Sequence, residues 1–253
     1  MRDKVILKEL RNFFIKEKNA GKKLRIFQPQ SDISNYFKKF NINVDLDNNK
    51  EIILQEETAL ELGGVNRNSF SMIYDVNDLA LIENGRITLL GYEIDETQDS
   101  SIDFGIFILI APNDDRNKQI EEFKHLNFIS NSIEGFMIRT IPRRFWCRIN
   151  SQVIEKKFSF EFLGNAIIYL YKQKFGSFIK SIEIFIINSY PNSIQEFIKL
   201  SSEITKRSRE RWKNKVEEWK KRIDCDYDWA CEICPYQEDC YDIKKLLSTR
   251  NKM

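Results

Sequence analysis

The sequence predicts an α+β protein: a mixed β-sheet body with flanking helices, followed by a helical tail carrying a four-cysteine metal site. Three observations carry this. Strand-like runs dominate residues 69–111 and recur at 136–149 and 181–188, between helical runs. Helical periodicity then takes over from residue 193 to about 222. Four of the five cysteines fall within sixteen residues near the C-terminus.

The elements follow in order. Residues 1–20 read as a helix, because Ile6, Leu10, Phe13 and Phe14 recur at helical spacing and Ala20-Gly21 ends the run. Short strands are expected at 24–27 and 51–54, with Asp47-Asn48-Asn49 turning between them. Gly63-Gly64 must bend, since paired glycines permit positive φ. Strands follow at 69–74 and 86–90, the second after an Asn84-Gly85 turn. Residues 104–110 are nearly all apolar, which marks a strand buried within a sheet. A polar turn at 113–117 and a short helix at 120–131 precede strands at 136–140 and 145–149. A helix at 162–175 stops at Gly176, and a strand follows at 181–188. Ser193 with Glu196 has the form of a capping box opening a helix that runs to about Arg222, broken at most once. The domain expectation is therefore an α+β body over 1–190 and a helical, cysteine-rich segment over 191–253.

Composition bounds the function. The chain has 253 residues, 42% hydrophobic, with 40 Lys and Arg against 38 Asp and Glu, a net charge of +2. Wholesale disorder is excluded, and so is a protein built to coat nucleic acid, which needs a strong basic excess. No apolar run reaches membrane-spanning length and the N-terminus lacks a signal-peptide core, so a cytoplasmic protein is expected. Residues 201–222 hold nine Lys and Arg against four Glu, whereas residues 224–242 hold seven acids and no base. Basic residues interleaved with Glu210, Glu217 and Glu218 suit pairing along a solvated helix face. The common phosphate loops and the nucleophile elbow are absent from the sequence.

Cys225, Cys231, Cys234 and Cys240 follow a C-x5-C-x2-C-x5-C spacing. A C-x2-C pair brings two thiolates to one metal from a single turn, and the flanking pair completes a four-thiolate shell. Such a shell suits a 4Fe-4S cluster or a structural zinc, and spacing alone does not choose between them. Tyr227, Trp229, Tyr236 and Tyr241 could shield a cluster from water. Cys147 reads as a small buried hydrophobe and His125 as a surface helix residue. Arg143, Arg144 and Arg148 surround Trp146, a set able to hold phosphates and stack an adenine. The competing reading is a core tryptophan whose neighbours alternate outward.

Several segments keep a common order from about Glu57 to Cys240: Leu60-Glu61-Leu62-Gly63-Gly64, then Ile82-Glu-Asn-Gly85 through Gly91-Tyr-Glu-Ile-Asp95-Glu96, then Ser100-Ser101-Ile-Asp-Phe-Gly105. Phe145-Trp146-Cys147-Arg148-Ile149, Phe162-Leu-Gly164, the Glu203-Ile204 to Arg211 stretch and Cys231-Glu-Ile-Cys234 continue it. Together they resemble the acetyl-CoA synthase (beta) component of CO dehydrogenase/acetyl-CoA synthase. The resemblance implies that residues 1–190 correspond to the middle domain of that family. It also implies that Cys231 and Cys234 match the first two cysteines of its cubane, a 4Fe-4S cluster bridged to a dinuclear nickel site. On that resemblance Cys240 would be the counterpart of the third, at a shorter spacing, and Cys225 would stand in for the fourth. The family joins a methyl group from a corrinoid protein, CO and CoA. Its Cys-Gly-Cys nickel motif does not occur in this sequence, so its nickel centre is not expected here. Trp146 and Arg148, with Arg144, match a family segment implicated in CoA binding. The expected partners are a corrinoid protein, a ferredoxin-like redox protein or a CO dehydrogenase-type subunit, with CoA as ligand and a role in anaerobic one-carbon or acyl-CoA metabolism. The competing functions are a non-catalytic electron-transfer or assembly module and, least favoured by the charge, a nucleic-acid-binding protein with a structural metal.

Overall fold

The apolar run beginning at Phe104 forms β6 (Phe104–Pro112), and every residue but its last is buried. It pairs antiparallel with β9 (Ile179–Asn188) on one side and parallel with β3 (Ser69–Asp75) on the other. β4 (Ile87–Leu90) runs parallel to β9, and β1 (Leu24–Phe27) antiparallel to β4. The result is a five-stranded mixed sheet of order β1-β4-β9-β6-β3. Strands apolar on both faces must be covered on both. This computed structural model describes residues 2–46, 52–64, 66–76, 78–112, 129–141 and 144–223.

The cover differs on the two faces. On one, α1 (Arg2–Asn19) and the start of the long helix α5 (Pro191–Ile223) bring Phe14 to 5.1 Å from Phe185 and Phe197 to 6.0 Å from Phe107, ring to ring. On the other, Ile106, Ile108, Ile184 and Ile186 enter the main core together with α4 (Phe160–Phe175). Gly164 lets α4 sit close to β4: a Cβ there would lie 2.7 Å from Ile87 Cδ1. Ser159 starts α4 by accepting the Phe162 N–H at 3.0 Å.

A second sheet, of four strands, lies against the same core. Its order is β5-β2-β8-β7, from β2 (Thr58–Gly63), β5 (Ser101–Ile102), β7 (Phe136–Ile141) and β8 (Arg144–Asn150). β7 and β8 form an antiparallel pair. The two sheets meet where the Phe145 N–H donates to Ser69 Oγ at 3.0 Å and the Phe104 and Phe145 rings stand 4.9 Å apart. Short helices α2 (Ile33–Lys38) and α3 (Ser151–Glu155) are capped by Asp32 and Asn150. α5 (Pro191–Ile223) is one unbroken helix of 33 residues.

The α+β class and its mixed strand directions hold, with two sheets where a single mixed sheet was expected. Two local expectations are corrected. Residues 52–54 make no ladder, because the Ile53 backbone is taken by side chains: its N–H donates to Met137 Sδ at 3.4 Å and its carbonyl accepts from Arg148 at 3.2 Å. Ser193 is not the cap of α5. The helix starts at Pro191, whose ring presets φ and whose missing N–H costs nothing in a first turn. Ser193 donates to Glu17 and accepts from Lys22, and Glu196 accepts from Lys16 at 3.1 Å. α2, β2, β5 and α3 carry too little periodicity to be read in advance. The 47–49 turn, the 113–117 turn, most of the 120–131 helix and His125 lie outside the described residues.

The chain divides into two compact units, 1–200 and 201–253. In the second, α5 carries ion pairs one turn apart, Arg207 with Glu203 at 3.6 Å and Lys206 with Glu210 at 3.9 Å. No helix among the described residues is long and apolar enough to cross a membrane.

Candidate functional site

Alternation along β8 decides what Trp146 can do. Phe145, Cys147 and Ile149 are buried in the core. Trp146 and Arg148 therefore share the opposite face of the sheet, half-buried. The expectation of a core tryptophan with neighbours alternating outward is thus reversed. Glu61 on β2 is the register partner of Arg148, and Gly63 that of Trp146. Arg139 on β7 is in register with Trp146, and Arg144 stands two residues before it, paired with Ile141.

Three side chains meet there. Trp146 Nε1 donates to Glu61 Oε1 at 2.7 Å, and Arg148 Nε reaches the same oxygen at 3.4 Å. The Arg148 guanidinium lies over the indole, 4.7 Å from its centroid, in a cation–π contact. Its NH1 also donates to the Ile53 carbonyl at 3.2 Å. Opposite the ring runs glycine backbone. Gly63 and Gly64 have φ of +69° and +111°, and a Cβ on Gly64 would lie 3.2 Å from Trp146 Cδ1. Glycine thus supplies both the bend and the close approach.

The sequence therefore named Trp146 and Arg148 rightly as neighbours but missed Glu61, which organises both. The one signal is the short Leu60-Glu61-Leu62 alternation, too brief to mark a strand by itself; once β2 is formed, Glu61 and Gly63 share a face. Cys147 beneath them is no candidate ligand or nucleophile, since burial, with the Glu61 charge adding to it, pushes its thiol well above the usual range.

The segment Gly91–Glu96 proves to be scaffold. Glu93 accepts N–H groups from Phe160 at 2.8 Å and from Ile94 and Glu161 at 3.3 Å, so one carboxylate caps α4 and a 3-10 turn. Burial raises its pKa in spite of these bonds. Glu96 accepts the Glu93 N–H and, on both its oxygens, a single Arg25 nitrogen at 2.6 and 2.7 Å, and these bonds lower its pKa to about 2. The buried side chain of Asn188 bonds both the N–H and the carbonyl of Tyr92 at 2.8 Å.

Cys225, Cys231, Cys234 and Cys240 lie outside the described residues. Among the described residues, no group of three or more His, Cys, Asp or Glu converges on a metal position.

The profile of the CO dehydrogenase/acetyl-CoA synthase complex beta subunit family matches residues 40–192, more than half of the chain. The chain belongs to this family. The beta-subunit match contains the Glu61–Trp146–Arg148 cluster and the Gly91–Glu96 scaffold. The chain is similar to the acetyl-CoA decarbonylase/synthase complex subunit beta of Methanopyrus kandleri, at 29% identity over 138 residues, 53% of this chain and 29% of the relative. It is also similar to the protein of the same name from Methanothermobacter thermautotrophicus, at 26% identity over 125 residues, 48% of this chain and 26% of the relative. The chain thus matches less than a third of the length of either of these beta-subunit relatives.

Proposed function

We propose that this chain is an acetyl-CoA-synthase-like iron–sulfur protein of anaerobic one-carbon and acyl-CoA metabolism. In this reading the Trp146 face binds CoA, and Cys225, Cys231, Cys234 and Cys240 bind one 4Fe-4S cluster. The carrying observation is that the family match encloses an arginine stacked on a half-buried tryptophan. Arg148 and Arg144 would meet the phosphates and the indole the adenine, because a guanidinium matches phosphate oxygens bidentately and an aromatic ring stacks a base. Glu61 fixes the indole through its N–H.

The donor set fits a cluster. Cys147 is sealed in the core, which leaves four thiols, the number that either a cubane or a zinc ion takes. A 4Fe-4S group supplies one-electron exchange when bound. The chain would work docked to a corrinoid protein, a ferredoxin-like redox protein or a CO dehydrogenase-type subunit, in keeping with the word "complex" in the relatives' names.

Two measurements test this. Anaerobically purified protein should contain about four irons and four sulfides per chain and give a cluster EPR signal on reduction. Stoichiometric zinc without sulfide would sink the cluster. CoA should quench tryptophan emission in the wild type but not in Trp146→Phe. No response in either would favour a module that docks partners without binding CoA.

A further inference from the structure

We propose that Glu61 is a positioning residue that holds Arg148 across the Trp146 ring and yields it to a phosphate-bearing ligand. The inference rests on the CoA-binding reading of the same face.

One oxygen of Glu61 does two unequal jobs. At 2.7 Å from Trp146 Nε1 it makes a normal hydrogen bond, whereas at 3.4 Å from Arg148 Nε it lies beyond the usual range for one. The indole is therefore fixed and the guanidinium loosely held. Arg148 makes one further described hydrogen bond, to the Ile53 carbonyl, which leaves donors of its five-donor fork to engage a ligand. Its side chain is 20% exposed and that of Glu61 30%, so both are within reach of solvent.

Charge decides which ligand can take Arg148. A neutral molecule offers nothing to replace the carboxylate and the cation–π contact. A phosphate dianion offers several oxygens to the fork and doubles the charge on the other side of the exchange. When Arg148 turns to the phosphate, the indole face that it covers becomes available to a planar base. Glu61 still holds the indole N–H, so the ring does not rotate away. Gly64 keeps the ring edge clear, because any side chain there would crowd Trp146. The face thus accepts an aromatic base only when it arrives with a phosphate.

The test uses the full chain and two probes, adenosine 3′,5′-bisphosphate and adenosine, followed by Trp146 emission with Trp146→Phe as the baseline. Glu61→Gln keeps an acceptor for the indole and removes the charge. It should bind the bisphosphate about threefold to tenfold more tightly than wild type, as expected for removal of one nearby competing charge. Adenosine, which brings no phosphate, should bind neither form. In an Arg148→Ala background the same substitution should give no gain. A gain shared by both probes would show that Glu61 shapes the site without selecting charge, and overturns the proposal. A gain that survives in Arg148→Ala would show plain repulsion, and also overturns it. Bisphosphate binding by the wild type that Glu61→Gln leaves unchanged or weakens refutes the proposal alone. No binding by either form removes the CoA reading and this inference with it.

Discussion

Glu183 lies mid-strand among isoleucines and is fully buried. Its carboxylate accepts from Arg86 Nε at 2.9 Å, from Arg11 at 3.1 Å and from the Glu83 N–H at 3.0 Å. Removing the charge leaves two guanidinium groups with the exposed Glu83 carboxylate in place of a buried counter-charge. Glu183→Gln should lower unfolding stability by about 3 kcal/mol in urea titration, the scale of breaking a buried ion pair. Gly63 is as sharply constrained, for a steric reason. A Cβ there would stand 2.2 Å from the Phe145 carbonyl oxygen, on top of a positive φ. Gly63→Ala should cost about 2 kcal/mol or more and shift Trp146 emission, since its register partner must move.

At the scale of elements, the fold is tied by a few polar knots between segments far apart in sequence. Ser193 on α5 bonds Glu17 at the end of α1, with Lys22 joining both. Burial alone would raise the Glu17 pKa, but the bonds from Lys22 and Ser193 hold it below the ordinary value. Ser193→Ala should cost about 1–3 kcal/mol in thermal or urea unfolding, the price of leaving a buried carboxylate short of a donor. Glu93 and Glu96 share a turn, and their pKa values are moved in opposite directions. The Glu96 pKa is depressed, so its contribution is present above the ordinary 4.5 and lost as pH falls toward about 2. The deficit of Glu96→Gln relative to wild type should therefore shrink toward pH 2. The Glu93 pKa is raised, so its contribution is full below 4.5 and lost as pH rises through its higher folded value. Glu93→Gln should gain on wild type as pH rises from 4.5 to neutrality, and urea midpoints at several pH values would show it.

For the molecule as a whole these terms add. Glu134, held down by its hydrogen bond from Lys156, joins Glu17 and Glu96 among the groups whose contribution is lost in acid. Glu161, raised by burial, joins Glu93 among those lost as pH rises. The depressed groups make unfolding midpoints climb from acid toward pH 4.5, and the raised pair opposes further climb toward neutrality. A profile climbing as steeply from pH 4.5 to 7 as below it would contradict the raised pair. At the same scale, each strand of the five-stranded sheet was legible except for its partners. The runs at 69–74, 86–90, 104–110 and 181–188 carry their own apolar signal, while direction and order depend on pairings such as Ile106 with Ile186. β5, two residues long, exists only because β2 offers it an edge.

The sequence by itself determined the class of the protein, its main strands and helices, the glycine bends and the family. These rest on local periodicity and on motif order, which need no knowledge of what is near in space. It also paired Trp146 with Arg148, because two residues along a strand share a face. Only the tertiary structure decided which face that was, since alternation fixes relative sides and the core chooses between them. It alone brought Glu61 to Trp146, a step of 85 residues, and Arg11 to Glu183, a step of 172. Hydrogen bonds between distant segments leave no period in a sequence, and the candidate site is made of them.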